Sequence, residues 1–554
     1  MNASSFLIPT TSILIILTVW ILYSLAGIAQ LAPDYEILDT DSGVAAMHIA
    51  VTAPNKIIII DKVQNNTMRF SDGRPVSTLE YDLDNGARRI LPLMSNTFCS
   101  SGGFIANGTL VSTGGAEAIP NDNYLAGFSS LRFIDPQDDK CQWREDLNGM
   151  MTHRWYPSSI TLSDGRLFIL GGSKFSVGVN NLTINNPTFE IYPSDDRNPK
   201  FFQFLVDTLP FNLFPIIHLM PGPKNQTHLF VFANKDSIIF DWKAEKIVKK
   251  LPRLEGASRT YPTTGSSVML PLRPEDDYKP IVLICGGNKK NNPKSTAANT
   301  CGRIDLSDLD KANWEIFAFG GLPRAMPNSV ILADGKVLFL NGVAKGVAGY
   351  NSIKHHILKA DDPVLNPVLY DDQQPNGKRF QKLNPSTIPR VYHSVATLIP
   401  NGKVFIAGSS PQQNLILSGV KFPTELRVEL FSPPYLSSNH SRATIKSVNG
   451  SKKINKGPIE VNYDQCIEVE VTISDQEPEF TAALLHYGFV THSTHMSQRY
   501  VSCIIKNVKP NDKGFILEVV MPPHGNIMPP IPVYLHINNK GVPCDSAVHL
   551  HLKE

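Results

Sequence analysis

At 554 residues the chain is too long for one ordinary hydrophobic core, and 42% apolar with 18% charged residues is the composition of a folded globular protein. Lys and Arg (52) nearly balance Asp and Glu (50), and no long basic run with interleaved aromatics occurs, which argues against nucleic acid as a partner. The 42 prolines and 37 glycines are spread along the chain instead of gathering in a low-complexity tail, which suits many short strands joined by turns.

The first segment is a targeting element. Ile13 to Ala29 is an apolar run without charge, and no Lys or Arg occurs before Lys56, so residues 1–32 stand outside the fold. Gly27-Ile28-Ala29 offers small residues at cleavage positions, yet the basic flank of a signal peptide is missing and the run is long enough to span a bilayer. Cleaved secretion and an uncleaved anchor that tethers the protein to the membrane both fit. Either places the body of the chain outside the cytoplasm, where disulfides persist. The sequons Asn65-Asn66-Thr67, Asn181-Leu182-Thr183 and Asn225-Gln226-Thr227 are then glycan acceptors in principle, a weak signal because such triplets are common by chance.

Beyond the leader one pattern recurs: a polar turn, an Asn/Asp-Gly hairpin signal, a short apolar strand and a closing glycine pair. Phe104 to Gly115, Ile160 to Gly172, Val330 to Gly342 and Thr397 to Gly408 carry it, and Met47 to Asp61, His228 to Asp241 and Ser266 to Gly287 are diverged copies. About seven units at roughly the 50-residue kelch spacing predict an all-β fold, a seven-bladed kelch-type β-propeller over residues 33–422. Near Phe422-Pro423-Thr424 the rhythm stops. Alternating runs such as Cys466 to Thr472 and Phe515 to Val520 then predict an immunoglobulin-like β-sandwich over residues 423–554.

Chemistry concentrates in Arg390-Val391-Tyr392-His393-Ser394, just before the strand-like run Val395 to Ile399. Neighbouring strand residues point to opposite faces, so a Tyr-His pair serves one centre only where the backbone leaves the strand. Imidazole suits Zn, Cu, Fe and Ni, whereas a tyrosine ligand needs an ion acidic enough to displace the phenol proton, which favours Cu(II) or Fe(III). Taken singly, a Tyr-His dipeptide is more often a packed Tyr beside a surface His. Three further stretches change the odds: Asn96 to Gly102 around Cys99, Arg154 to Ser159 around Tyr156, and Val490 to Ser493 around His492. Equivalent blade ends of a propeller converge on its axis, so Cys99, Tyr156 and Tyr392-His393 can meet there. His492 joins them only if a loop of the second domain reaches the channel.

These stretches, with RWYPSSITLSDGRLFILGG, TYPTTGSSVMLPL, RVYHSVATLIPNGKVFIAGS and FPTELRVELFSPPYL, resemble the galactose oxidase and glyoxal oxidase family of copper-radical oxidases, more closely its glyoxal oxidase branch. The resemblance implies one copper ion per chain held by Tyr156, Tyr392, His393 and His492. It further implies a protein-derived radical cofactor, a thioether between Cys99 and Tyr156, with Tyr392 as the base that takes the substrate's hydroxyl proton. Small aldehydes, α-hydroxycarbonyls or primary alcohols would be oxidised with O2 to acids or aldehydes and hydrogen peroxide, a product suited to peroxide-consuming extracellular enzymes as partners. The competing class is a non-catalytic propeller acting as a glycan-binding or adhesion module.

Two positions depart from the family pattern. Lys174 stands where the galactose oxidase branch stacks a tryptophan over the cross-linked ring, with Phe175 beside it as a substitute. Cys141 has lost the cysteine partner that glyoxal oxidases often carry and is expected as a free thiol. Cys285 and Cys301 flank a polar loop and are the best disulfide pair, while Cys466, Cys503 and Cys544 allow several connectivities. Glu425 and Arg427 read as an inter-domain ion pair, His486 and His495 as members of a His-rich loop that is solvated or a weak adventitious metal site, and His355-His356 as an exposed pair without a role.

Overall fold

A computed structural model of the chain describes residues 34–553 apart from 65, 139, 177–180, 195, 353–356 and 455–456. The leader and the Lys354-His355-His356 stretch therefore lie outside the described residues.

Short apolar runs bounded by turns form strands buried on both faces, as in Leu167–Leu170 and Val337–Leu340. They assemble into seven four-stranded antiparallel sheets. Six blades use strands consecutive in the chain apart from one inserted hairpin, Val343–Gly346 with Ala360–Pro363, between the second and third strands of blade six. Their inner strands begin at His48, Ser101, Ser158, Ile216, Gly265 and Asn328. The seventh combines Ser394–Leu398, Val404–Gly408 and Val428–Phe431 with Tyr35–Asp39 from the start of the described chain. This mixed blade closes the ring, so no blade edge is left for a further strand at the closure. Between blades three and four, Phe168, Leu170 and Phe189 pack on Leu219, Val231 and Phe240, each such side chain contributing about 1.5–3 kcal/mol when removed from water.

Two sequence expectations change here. The cut at 422–423 falls inside blade seven, because its third strand, Val428–Phe431, lies beyond the long 409–427 connection after the last glycine of the rhythm. The diverged copy at His228 to Asp241 is the second and third strands of blade four; its inner strand, Ile216–Leu219, precedes it without a glycine pair.

The C-terminal domain stacks two sheets. One orders Thr444–Val448, Cys466–Thr472, Gly514–Val520 and Ile505–Asn511; the other orders Ile459–Asn462, Val548–Lys553, Pro532–Asn539, Phe480–His486 and Arg499–Cys503. From the second sheet a hairpin, Phe489–Thr491 with Thr494–Met496, leaves the domain and pairs with His48–Ala53 at the inner edge of blade one. It touches inner strands of blades two, three, five, six and seven. The hairpin therefore fills the propeller axis.

Candidate metal centre on the propeller axis

The segment before an inner strand repeats a device. In blades three, five, six and seven it reads Arg154-Trp155-Tyr156-Pro157, Arg259-Thr260-Tyr261-Pro262, Arg324-Ala325-Met326-Pro327 and Arg390-Val391-Tyr392-His393. Each arginine is buried and donates to a carbonyl at the end of its own blade's second strand: Arg154 to Gly171 at 2.9 Å, Arg324 to Asn341 at 2.8 Å, Arg390 to Gly408 at 2.6 Å, and Arg259 to Gly286. Arg390 also pairs with buried Glu429 at 2.9 Å. A Cβ on Gly408, whose φ is +71°, would lie 2.3 Å from the Ala46 carbonyl oxygen, so the rhythm's glycine is what permits neighbouring blades to approach.

The backbone then turns left-handed at residues other than glycine: Cys99, Tyr156, Phe214, Met326 and His393 have φ between 46° and 63°. Such residues cost of order 1–3 kcal/mol each and persist where the surroundings hold them. The kink resolves the Tyr392-His393 problem: with strand pairing starting only at Ser394, the two rings lie face to face, 3.6 Å apart and 29° from parallel. His492, φ 47°, sits at the tip of the axial hairpin in the same conformation.

All five side chains predicted for the site meet. Cys99, Tyr156, Tyr392, His393 and His492 are 0–4% exposed. The Tyr156 and Tyr392 oxygens are 2.9 Å apart, Cys99 Sγ is 3.3 Å from His492 Nε2, and the imidazole rings stand 4.5 Å apart at 86°. Donor atoms of Cys99, His393 and His492 all lie within 4.8 Å of one another. The Tyr156 amide donates to the Cys99 carbonyl at 3.1 Å, tying the two blades' kinks together.

The donor set fits an acidic divalent copper. His393 Nδ1 lies 3.0 Å from the Ser410 carbonyl, so it carries the proton and Nε2 keeps its lone pair. That Nε2 is buried and has no hydrogen-bond partner. His492 Nδ1 lies 2.5 Å from Thr491 Oγ1, a hydroxyl able to accept the Nδ1 proton, while its Nε2 faces Cys99. Burial holds both imidazoles well below their usual range, hence neutral, and pushes the Tyr156 and Tyr392 phenols and the Cys99 thiol well above theirs. Two neutral nitrogens and two phenols that ionise only beside a strong cation describe a nitrogen–oxygen site for Cu(II).

The surroundings correct several expectations. Lys174 and Phe175 are exposed, Phe175 by 51%, and the phenyl ring is 6.4 Å from the exposed His153 ring. Neither covers Tyr156. Its ring is flanked by Trp155, centroid 4.1 Å away and tilted by 49°, and by Tyr261, 4.3 Å away and within 25° of parallel. Tyr156 also donates to the Tyr261 oxygen at 3.1 Å. Beside them, half-buried Phe98 and Tyr350 stack on each other, and Tyr350 meets Tyr392 and His393 edge-on. The repeated Arg-x-Tyr-Pro spacing is a signal that would have found Tyr261; none marks Tyr350.

His486 and His495 are buried on strands, bonded to the carbonyls of Pro532, Ser329 and Tyr487. Glu425 and Arg427 pair with each other at 2.6 Å within one segment, two residues apart, and bridge no domains. Cys285 and Cys301 face each other across paired strands of blade five and are joined. Cys141 is a buried free thiol beside Arg89, and Cys466, Cys503 and Cys544 are all free, on separated strands and loops.

Comparison with known proteins agrees with this architecture. The family description "Glyoxal oxidase N-terminus" matches residues 47–435, and "Galactose oxidase-like, Early set domain" matches residues 449–549. An aldehyde oxidase of Vitis pseudoreticulata is 32% identical over 94% of this chain and 97% of its own length, and one of Arabidopsis thaliana is 31% identical over 92% and 83%. Among solved structures, a fungal alcohol oxidase of the AA5 family in complex with copper shares the fold, with TM-score 0.68 and 19% identity, covering 94% of this chain and 98% of that one.

Proposed function

The chain belongs to the glyoxal oxidase family, and from that premise we propose that it is an extracellular copper-radical oxidase of small aldehydes, α-hydroxycarbonyls or primary alcohols. The observation that carries the reading is the buried meeting of Tyr156, Tyr392, His393 and His492, with the His393 Nε2 lone pair unpartnered and Cys99 beside them. Tyr156, Tyr392, His393 and His492 would hold the ion. Copper, when bound, would accept one of the two electrons removed from the substrate and supply the positive charge that lets the phenols ionise.

The chain's own residues do the rest. His393 and His492 are kept neutral by burial and by their Nδ1 partners, so both present lone pairs. Tyr392, as phenolate, takes the substrate's hydroxyl proton at its oxygen. Tyr156, joined to Cys99 and already oxidised by one electron with O2 as the oxidant, takes the second electron and returns to the closed-shell phenol. Joining them replaces the Sγ–H and one ring C–H by a C–S bond, and the two hydrogens leave with O2 as hydrogen peroxide. In turnover an aldehyde hydrate and O2 give a carboxylic acid and hydrogen peroxide; a primary alcohol and O2 give an aldehyde and hydrogen peroxide. Phe98 and Tyr350 narrow the approach to small substrates, and the near-complete burial excludes bulk water from the oxidised phenol.

The disulfide Cys285–Cys301 supports an oxidising compartment, and Asn181 and Asn225 are exposed, as glycan acceptors require. Secretion, or a membrane tether through residues 1–32, with peroxide-consuming enzymes nearby, completes the proposal.

The test is a peptide mass map of protein loaded with copper in air, followed by peroxide assay with small aldehydes. Cys99 and Tyr156 peptides joined with loss of two hydrogens, together with peroxide release, are expected. Separate, unmodified peptides from fully copper-loaded protein would sink the oxidase reading and restore the binding propeller.

A further inference from the structure

We infer that Tyr261 is the positioning residue that sets how easily Tyr156 is oxidised, through a ring stack and a hydrogen bond that act in opposite directions; this rests on the function proposed above. Tyr261 occupies in blade five the position that Tyr156 and Tyr392 occupy in blades three and seven, each two residues after a buried arginine. Of those three phenols, Tyr156 and Tyr392 complete the donor set, which leaves Tyr261, 6% exposed, without a role in holding the ion.

Its placement is fixed from several sides. The Tyr261 amide donates to the Leu213 carbonyl at 3.2 Å. Arg259, two residues earlier, donates to the Thr300 carbonyl at 2.8 Å, and the hydroxyl of Thr260 accepts from the Asn234 amide at 2.8 Å. The ring therefore lies over Tyr156 at 4.3 Å and 25°, and the two oxygens are 3.1 Å apart. Trp155, on the same ring, is tilted by 49°, and Phe214 meets it edge-on at 82°. Tyr261 is thus the near-parallel neighbour among the rings around Tyr156.

The two contacts have separable consequences. When Tyr156 has lost its proton, the rotatable Tyr261 O–H turns to donate to the phenolate oxygen. Oxidation removes one electron from the phenolate and moves no further proton, so the bond stabilises the charged reduced form more than the neutral oxidised one and raises the potential. The stacked ring favours the oxidised form by spreading its electron deficiency over a second π-system and shielding it.

The experiment compares wild type, Tyr261→Phe and Tyr261→Leu, each loaded with copper and mapped for the Cys99–Tyr156 joint before a titration with ferricyanide as one-electron oxidant. Tyr261→Phe keeps the stack and loses the hydrogen bond: the oxidation equilibrium of Tyr156 is expected to shift about tenfold toward the oxidised form, about 59 mV lower in potential. Tyr261→Leu loses both, and its oxidised form is expected to decay about tenfold faster than that of the Phe variant. Equal potentials in wild type and Tyr261→Phe, with the joint formed in both, overturn the inference while leaving the oxidase reading intact. A Leu variant as long-lived as the Phe variant overturns the stacking half. If the Leu variant does not fold, the Phe variant alone still decides the hydrogen-bond half. A wild type that never joins Cys99 to Tyr156 overturns the inference and the proposed function together.

Discussion

The propeller and the C-terminal sandwich each supply side chains to the same centre, but by different means. The propeller supplies Cys99, Tyr156, Tyr392 and His393 from kinks that precede inner strands, the latter three from segments pinned by a buried arginine of the same blade. Those kinks are held inside the propeller, by residues of the same blade and of its neighbour. The sandwich supplies His492 from a hairpin that must leave its own domain and add strands to blade one. That placement depends on docking, so the proposed ligand set is complete only while the two domains stay together. A donor from a repeated local device is robust to loss of the partner domain; a donor delivered by docking is not.

The largest expected effect tests that asymmetry directly. His492→Ala removes the docked donor and leaves the propeller kinks intact. Activity is expected to fall by ~1000-fold or more, with no Cys99–Tyr156 joint formed at equimolar copper, while the melting temperature stays near that of the wild type. Thr491→Val, which deprives His492 Nδ1 of its partner, is expected to weaken copper binding by about 10–100-fold as measured by competition with a chelator. A His492→Ala protein that still cross-links would show that the three propeller donors suffice.

Acid sharpens the comparison next. Buried His486 and His495 are pushed down to about 4, and His536 and His549 to about 3, by removal from water; all four lie in the C-terminal sheets or their hairpin. The propeller has His48 and His218, at about 3, buried in the same way. The folded pKa is below the unfolded value of about 6.5, so the unfolded chain binds these protons first. The stability is therefore full above pH 6.5 and is lost as pH falls toward 4 and 3, by about 1.4 kcal/mol per pH unit for each imidazole. With more such groups, the sandwich is expected to open first. Hydrogen exchange after incubation at pH 4.5 should label peptides from 480–553 before those from 216–305; simultaneous labelling would refute the ordering.

The same distinction explains what was legible in the sequence. The Asn/Asp-Gly turns and closing glycines announce blades because each answers a demand of its own backbone, such as the φ of +71° at Gly408. The site residues lie in the strings that carry the family resemblance, and those strings are the kinks themselves. What did not show depends on contacts between distant segments. Tyr261 carries the Arg-x-Tyr-Pro spacing, yet only the convergence of blades puts its ring over Tyr156, where Lys174 and Phe175 were expected to matter. His486 and His495 look solvated as a His-rich loop and are buried because their strands pack between two domains. Blade seven ends beyond the point where the glycine rhythm stops, because its last strands come from Val428–Phe431 and from Tyr35–Asp39, at the opposite end of the chain.

The smallest expected effect probes the seam between the two bodies without touching a donor. Gly102, on the inner strand of blade two, faces the hairpin residue Phe489, and an added Cβ would lie 2.8 Å from two carbons of that ring and from the Val111 carbonyl oxygen. Gly102→Ala therefore pushes either the hairpin or the strand by several tenths of an ångström, at about 1–3 kcal/mol for overpacking. If docking rather than the propeller alone positions His492, the displacement travels two strand residues beyond Phe489 and onto Thr491 and His492. Copper affinity should then fall along with stability, whereas the matching overpack at Gly103, which meets Leu167 Cδ1 at 2.7 Å between two blades, should lower the melting temperature alone. Equal copper affinity in the two variants would mean that the hairpin holds its tip independently of its base, and that the axial pairing with His48–Ala53 is strong enough to isolate the donor from the domain that delivers it.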